Sequence, residues 1–157
     1  MTNNSGKIKA ISISKKKGIP KTNIPNCMLV ANHGMDGDIH AGDWHRQISL
    51  LAMESIEKMQ RAGLPALRPG AFAENLTTEF IDIPSMEIGT RILIGDSAEL
   101  EITQIGKECH SKCAIFTIVG DCVMPREGIF AKVISSGEIK LDDEVRIVQI
   151  SESTSKL

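Results

Sequence analysis

The second half of the chain is a succession of short β-prone runs, and this pattern restricts the fold more than any other feature of the sequence. Five runs follow from Thr90 onward, separated by clusters of Gly, Asp or Ser: RILIG, AELEITQIG, AIFTIV, IFAKVI and EVRIVQI. Short strands at this spacing with few helices favour a compact barrel or sandwich, and a barrel leaves no sheet edge exposed. We therefore predict a mainly β fold, a single closed or partly open β-barrel with one or two short helices.

The first half of the chain adds further strands and one helix. Apolar and polar residues alternate over residues 7–14, which predicts a half-buried strand. Residues 53–62 have apolar side chains at helical spacing, and Gly63 and Pro65 predict the end of that helix. The remaining predictions are a loop over 15–26, strands over 28–31 and 47–52, a bend over 64–69 and strand-like composition over 70–78.

Length and composition are typical of one soluble domain. We predict a single domain over residues 1–157 with a polar, frayed tail at 151–157. A net charge of -2, dispersed Lys and Arg, and five aromatic residues provide no basic stripe for nucleic acid. Neither a signal peptide nor an apolar run of the roughly 20 residues that cross a bilayer is evident. We therefore expect a cytoplasmic protein without membrane or nucleic-acid partners, whose four cysteines serve metal binding or thiol chemistry before disulfides.

The segment KECHSKC is the first candidate for chemistry. Cys109 and Cys113 are four residues apart and share a face on either a strand or a helix. Lys107, Lys112 and a protonated His110 are neighbours of the kind that lower the pKa of a thiol from about 8.5. This composition favours a reactive thiolate.

Two other interpretations of the same cysteines stay open. Both thiols can be small buried apolar groups, as most unpaired cysteines are. Alternatively, Cys122 and His110 can join Cys109 and Cys113 as four zinc ligands.

Three further groups offer polar contacts to a ligand. Arg126, in GDCVMPREG, presents a planar fork suited to phosphate or carboxylate, or forms a surface pair with a neighbouring acid. The polar loop NHGMDGDIHAGDWHR offers His40, His45 and Arg46 to an anionic ligand, although its aspartates and histidines also suit a divalent metal or tight turns. Glu74 and Asn75 can orient a ligand or cap their own turn.

Taken in order, four motifs resemble the consecutive signatures of the MOSC domain, named for the C-terminal part of molybdenum-cofactor sulfurases. They are GDIHAGDWHRQISLLAMESI, GAFAENLTT, IGTRILIGDSAELEITQIGKECHSKC and GDCVMPREGIFAKV, and the resemblance covers about residues 7–148. The chain is most similar to the short, stand-alone bacterial type of the family. The resemblance implies a MOSC or pyruvate-kinase-like β-barrel.

The resemblance also implies an essential cysteine that carries sulfur as a persulfide or binds the molybdenum of a molybdopterin cofactor. Cys113 is similar to the cysteine that binds molybdenum in amidoxime-reducing members, and Cys109 is the second choice. The resemblance further implies a set of cofactor-binding residues along one cleft: His40, His45, Arg46, Glu74, Asn75, Lys107 and Arg126. Of these, Arg126 would contact a phosphate of the cofactor.

The sequence departs from larger family members in ways that imply partners. It has no pyridoxal-phosphate domain, no second barrel, and no iron-sulfur or flavin module. Sulfur would therefore come from a cysteine desulfurase, which holds the pyridoxal phosphate, or from molybdenum-cofactor biosynthesis proteins. Electrons, where they are needed, would come from a separate electron-transfer partner. The leading hypothesis is a sulfur carrier or molybdenum-binding module. The alternatives are a molybdopterin-dependent reductase subunit for N-hydroxylated compounds and a non-catalytic zinc or sensor module.

Overall fold

The computed structural model describes residues 5–17, 19–106 and 127–149. In chain order the elements are β1 Ser5–Ile13, β2 Thr22–Ile24, β3 Asn26–Val30, β4 Gly34–Met35, β5 Ile48–Ala52, helix α1 Met53–Arg61, β6 Leu76–Glu79, a 3-10 turn Ile83–Ser85, β7 Arg91–Ile94, β8 Ala98–Ile105, β9 Ile129–Ser135, β10 Gly137–Lys140 and β11 Glu144–Gln149.

Seven of the described strands close into a barrel. Their order is β11-β7-β8-β9-β5-β6-β1, and β1 pairs back onto β11 with Lys7 opposite Glu144. Six of the seven junctions are antiparallel, whereas β5 and β6 run parallel. The parallel pair needs a crossover connection, which α1 and residues 62–75 supply. The predicted closed β-barrel is confirmed.

Alternation along the strands fills the barrel with aliphatic side chains. In β7, Ile92 and Ile94 are fully buried, and Leu100 and Ala98 lie opposite them on β8. These residues belong to a single cluster of Ile, Leu, Val, Met, Ala and Cys side chains. Burying each large aliphatic side chain contributes about 1.5–3 kcal/mol, which explains why a chain with so few aromatic residues folds.

Helix α1 packs outside the barrel on a second apolar cluster. Ile56 and Met59 lie against Leu51, Phe72 and Phe130. The predicted helix over 53–62 is confirmed to within one residue, since Met53–Arg61 is helical and Ala62 caps it. No helix in the described part of the chain is long and apolar enough to cross a membrane.

Two details of the sequence prediction are wrong. The predicted loop over 15–26 contains β2, because Thr22–Ile24 pairs with the end of β1 and places Ile24 opposite Ile11. Strands β4 and β10, which pair with β3 in a separate three-stranded sheet, were not predicted. The predicted strand AIFTIV and the tail at 151–157 lie outside the described residues.

Candidate functional site

Asp38 organises the polar loop between β4 and β5. Its Oδ1 accepts hydrogen bonds from the Ser14 backbone N–H at 3.0 Å and from Lys21 Nζ at 2.7 Å. Its Oδ2 accepts the backbone N–H of His40 at 3.1 Å. The carboxylate thus joins the end of β1, the start of β2 and the loop.

The Lys21–Asp38 ion pair is completely buried, with 0 % of either side chain exposed. Burial has the largest single effect on the pKa of Asp38 and raises it, but the interactions with His40, Lys21 and Ser14 together lower it by more. The pKa of Asp38 therefore lies well below its usual range, and this carboxyl group is ionised at neutral pH.

His40 lies directly on this ion pair. Lys21 Nζ is 3.0 Å from His40 Nδ1, and the nearest carboxylate oxygen, Asp38 Oδ2, is 3.7 Å from the same nitrogen. The His40 side chain remains 30 % exposed. Of the charged residues near His40 in the described part of the chain, Lys21 is thus the one in direct contact with its ring.

Glu74 occupies the turn between α1 and β6 and is fully buried. Its carboxylate accepts the backbone N–H groups of Gly70 at 2.7 Å and Phe72 at 3.1 Å, and the Thr77 hydroxyl at 3.1 Å. Burial, the largest influence, raises the pKa of Glu74 despite these donors. The side chain therefore shapes the turn that it occupies.

Gly70 connects this turn to the polar loop. Its carbonyl accepts the backbone N–H of Lys21 at 2.9 Å. A Cβ at Gly70 would lie 2.5 Å from the Lys21 carbonyl oxygen, and its φ of +98° favours glycine. The structure thus joins two sequence-predicted residues, Glu74 and His40, through Gly70 and Lys21.

Asn75 is also fully buried and ties two strands together. Its Oδ1 accepts the Ser49 backbone N–H at 3.0 Å, and its Nδ2 donates to the Ser12 carbonyl at 3.1 Å. Asn75 therefore fixes the relative position of β1 and β5.

Arg46 and His45 form a second polar group centred on Gln104 of β8. Gln104 Oε1 accepts hydrogen bonds from Arg46 Nε at 3.2 Å and from His45 Nε2 at 3.0 Å. The half-buried Arg46 guanidinium lies 5.3 Å from the Phe130 ring centre and 5.8 Å from that of Trp44. Within residues 5–17, 19–106 and 127–149, no acidic side chain forms an ion pair with Arg46.

Trp44 links the two polar groups. Its indole N–H donates to the His40 carbonyl at 2.8 Å while its ring flanks Arg46. About 42 % of Trp44 is exposed. His40, His45 and Arg46 thus share one surface region.

Gln104 also lies close to the end of β8, beside two glycines. Its Nε2 donates to the Gly106 carbonyl at 2.9 Å, and the Gly106 N–H donates to the Gly128 carbonyl at 2.7 Å. The two glycines flank residues 107–126 and lie beside the Arg46 group. The predicted site residues Lys107, Cys109, Cys113 and Arg126, with the alternative ligands His110 and Cys122, lie outside the described residues.

The metal interpretation of the polar loop finds no support in the described residues. No cluster of three or more His, Cys, Asp or Glu side chains there has the arrangement that holds a metal ion. Asp38, at the centre of the loop, instead uses its oxygens for Lys21 and for backbone donors.

Sequence reasoning missed Lys21 and Gln104. Lys21 stands in a lysine-rich stretch whose other members, Lys15 to Lys17, are exposed, so local composition cannot separate it from them. Gln104 carried a weak signal, since it continues the inward phase of the alternating run AELEITQI without being apolar, and the structure leaves it half-buried after a register shift.

The closed barrel, with a buried polar network beneath the polar loop, places this chain among small β-barrel domains. The chain is a member of the MOSC domain family, whose model matches residues 36–146. That range includes residues 36–46 of the polar loop, the Glu74 turn and the cysteines of KECHSKC, whereas Lys21 precedes it. The family is associated with molybdenum-cofactor sulfurase-like proteins.

Solved structures of low sequence identity share the fold. YuaD from Bacillus subtilis superposes with a TM-score of 0.77 at 18 % identity, covering 94 % of this chain and 98 % of that chain. YiiM from Geobacillus stearothermophilus gives 0.68 at 16 % identity (92 % and 75 % covered), and YiiM from Escherichia coli gives 0.64 at 16 % identity (91 % and 70 % covered). A sequence search of curated proteins gave no significant match.

Proposed function

We propose that this protein is a molybdenum-cofactor-associated module that uses a reactive cysteine to bind molybdenum or to carry sulfane sulfur. Cys113 is the first choice for that cysteine and Cys109 the second. Membership of the MOSC family supports the class of function. The observation that carries the proposal is the half-buried Arg46 guanidinium. Gln104 accepts a hydrogen bond from it and also contacts Gly106, the last described residue before Lys107. Among the described residues, Arg46 has no acidic partner.

The side chains present fit an anionic, phosphate-bearing pterin. Only Nε of Arg46 is used by Gln104, so its terminal N–H groups remain suited to phosphate oxygens. His45 and His40 add ring nitrogens on the same surface, and the exposed face of Trp44 offers an apolar flank. When bound, the cofactor would supply the redox and sulfur-accepting centre; the described residues would bind and orient it.

Chain length permits the proposed cysteines and Arg126 to reach this surface. Cys109 follows Gly106 by three residues, a reach of at most about 11 Å, and Arg126 precedes Gly128 by two residues, at most about 7 Å. Cys113 has a reach of up to about 25 Å from Gly106. Chain length is therefore compatible with the proposed role of either cysteine.

In the carrier version, the thiolate attacks the terminal sulfur of a persulfide on a partner desulfurase. One S–S bond forms on this protein, the bond on the desulfurase breaks, and the desulfurase leaves as a thiolate, so no external oxidant is needed. In the binding version, the same thiolate acts as a soft ligand. Lys107, Lys112 and a protonated His110 would favour the ionised thiol in either version.

The test is anaerobic purification from a cofactor-producing host, with molybdenum, pterin and zinc analysis and mapping of persulfide sulfur. We expect molybdenum with pterin, or one sulfane sulfur on Cys113 or Cys109, and loss of that signal in Cys113→Ser or Cys109→Ser. The matched control is Cys27→Ser, because Cys27 is buried in the barrel cluster. Stoichiometric zinc, or the absence of molybdenum, pterin and sulfane sulfur, would overturn the proposal.

A further inference from the structure

The His40 ring is held on one side by a fully buried ammonium group. Lys21 Nζ lies 3.0 Å from His40 Nδ1, within hydrogen-bonding distance, while Asp38 Oδ2 lies 3.7 Å from that nitrogen, beyond it. The lysine ammonium has three N–H donors and no lone pair. In this contact, Nδ1 must therefore accept, and the ring proton must reside on Nε2.

The position of Lys21 is itself fixed by its surroundings. Its backbone N–H donates to the Gly70 carbonyl at 2.9 Å, and Gly70 in turn donates to the buried Glu74 carboxylate at 2.7 Å. Its Nζ is held by Asp38 at 2.7 Å, with no part of either side chain exposed. A buried, paired lysine of this kind has no freedom to turn away from His40.

The opposite edge of the His40 ring is left for a ligand. Nδ1 faces the buried ammonium, 30 % of the side chain remains exposed, and Nε2 forms no hydrogen bond with any residue that the structure describes. The backbone of His40 is also fixed, because its N–H donates to Asp38 and its carbonyl accepts the Trp44 indole. The ring therefore offers a single N–H in a set direction.

We propose that Lys21 is a positioning residue that holds His40 in the tautomer protonated on Nε2, so that His40 donates one hydrogen bond to an anionic oxygen of the ligand. The ligand part of this inference rests on the proposed function, since a phosphate of the cofactor is the acceptor that it names. The tautomer part stands on the geometry alone.

The test is long-range ¹H–¹⁵N correlation on ¹⁵N-labelled protein at a mildly alkaline pH, with His40→Gln used to assign the ring. The expected result is an unprotonated Nδ1 and a protonated Nε2. In Lys21→Met the proton should move to Nδ1, because the buried Asp38 then needs a new donor. Lys140→Met, which removes an exposed lysine from the Asp143 pair, is the matched control and should leave the His40 signals unchanged.

A wild-type ring protonated on Nδ1, or signals unchanged by Lys21→Met, would overturn the positioning role. If Lys21→Met does not fold, the double variant Lys21→Met/Asp38→Asn removes both buried charges. In that variant the His40 ring should no longer show the pattern of an unprotonated Nδ1 with a protonated Nε2. Titration with inorganic phosphate should shift the wild-type Nε2 signal, and an unmoved signal would overturn the donor role. The molybdenum analysis is a separate test. If no molybdenum, pterin or sulfane sulfur is found, the proposed function is wrong, whereas the result on the His40 tautomer still holds.

Discussion

Lys21 Nζ and Asp38 Oδ1 lie 2.7 Å apart, and neither side chain is exposed to solvent. Lys21 precedes β2 and Asp38 lies in the polar loop, so this ion pair joins two segments that are far apart in sequence. Because Lys21 also contacts the His40 ring, this ion pair fixes the position of His40.

Removing one partner of this pair should destabilise the protein strongly. Lys21→Met leaves a buried carboxylate without its counter-charge, and we expect a loss of about 3–5 kcal/mol in the free energy of unfolding. Urea unfolding followed by circular dichroism measures the change. Lys140→Met removes a lysine that is largely exposed and should have little effect. Equal losses in the two variants would contradict the buried role of Lys21.

The stability supplied by Asp38 should disappear in acid. Because the pKa of Asp38 is lowered in the folded state, its contribution is present above the ordinary aspartate pKa and is lost as pH falls towards the folded value. The free energy of unfolding of the wild type minus that of Asp38→Asn should therefore shrink from pH about 5 downward. A difference that does not change with pH would contradict this prediction.

The pH dependence of stability that we predict for Glu74 is opposite to the one that we predict for Asp38. Burial raises its pKa in the folded state, so its protonated form favours folding, and that contribution is lost as pH rises through the folded pKa. The difference in unfolding free energy between wild type and Glu74→Gln should thus be largest in acid and fall towards neutral pH. Parallel pH profiles for Asp38→Asn and Glu74→Gln would show that the two carboxyl groups do not differ as described.

Gly70→Ala should disturb the contact between the Glu74 turn and Lys21. The new Cβ would meet the Lys21 carbonyl oxygen at 2.5 Å, in addition to the strain of a φ of +98°. The matched control is Gly37→Ala, with a φ of +89° but its nearest contact at 3.7 Å. Chemical denaturation should give a loss of about 1 kcal/mol for Gly37→Ala and clearly more for Gly70→Ala. Equal losses would mean that the close approach to Lys21 is unimportant.

Cys27 should be unreactive in the folded protein. Burial, followed in importance by the charge of Asp36, raises the pKa of its thiol, so little thiolate exists at neutral pH. Peptide mapping after brief iodoacetamide treatment should find Cys27 unmodified in native protein and modified in urea. Native labelling as fast as in urea would contradict the burial described. If Cys27 is protected, native thiol reactivity belongs to the three cysteines at 109, 113 and 122.

The barrel could be predicted because its strands carry their own pattern. Alternation of buried and exposed positions in β7 and β8 is visible in RILIG and AELEITQIG without any tertiary information. Strand β2 was missed because Thr22–Ile24 is polar and is a strand only through its pairing with β1. Short strands of this kind are defined by tertiary contacts that a local pattern does not contain.

The candidate site was predicted only where polar residues cluster in sequence. His40, His45 and Arg46 lie on one loop, so their shared surface followed from the sequence. The role of Lys21 could not be predicted, because its charge is neutralised by Asp38, 17 residues away. The sequence pointed to Glu74 and Asn75 but could not tell that both are fully buried and act through backbone hydrogen bonds.

The molybdenum content of Arg46→Met, measured beside wild type after anaerobic purification from a cofactor-producing host, tests the central claim most directly. Arg46 provides charged hydrogen bonds to the proposed anionic cofactor, so we expect affinity to fall by about tenfold or more, with the fold retained. Arg61→Met, on the exposed side of α1, is the matched control and should keep the wild-type content. Molybdenum in the wild type and in Arg61→Met, with most of it lost from Arg46→Met, is the predicted result. Equal molybdenum in all three proteins, or none in the wild type, would contradict the claim that this surface holds the cofactor.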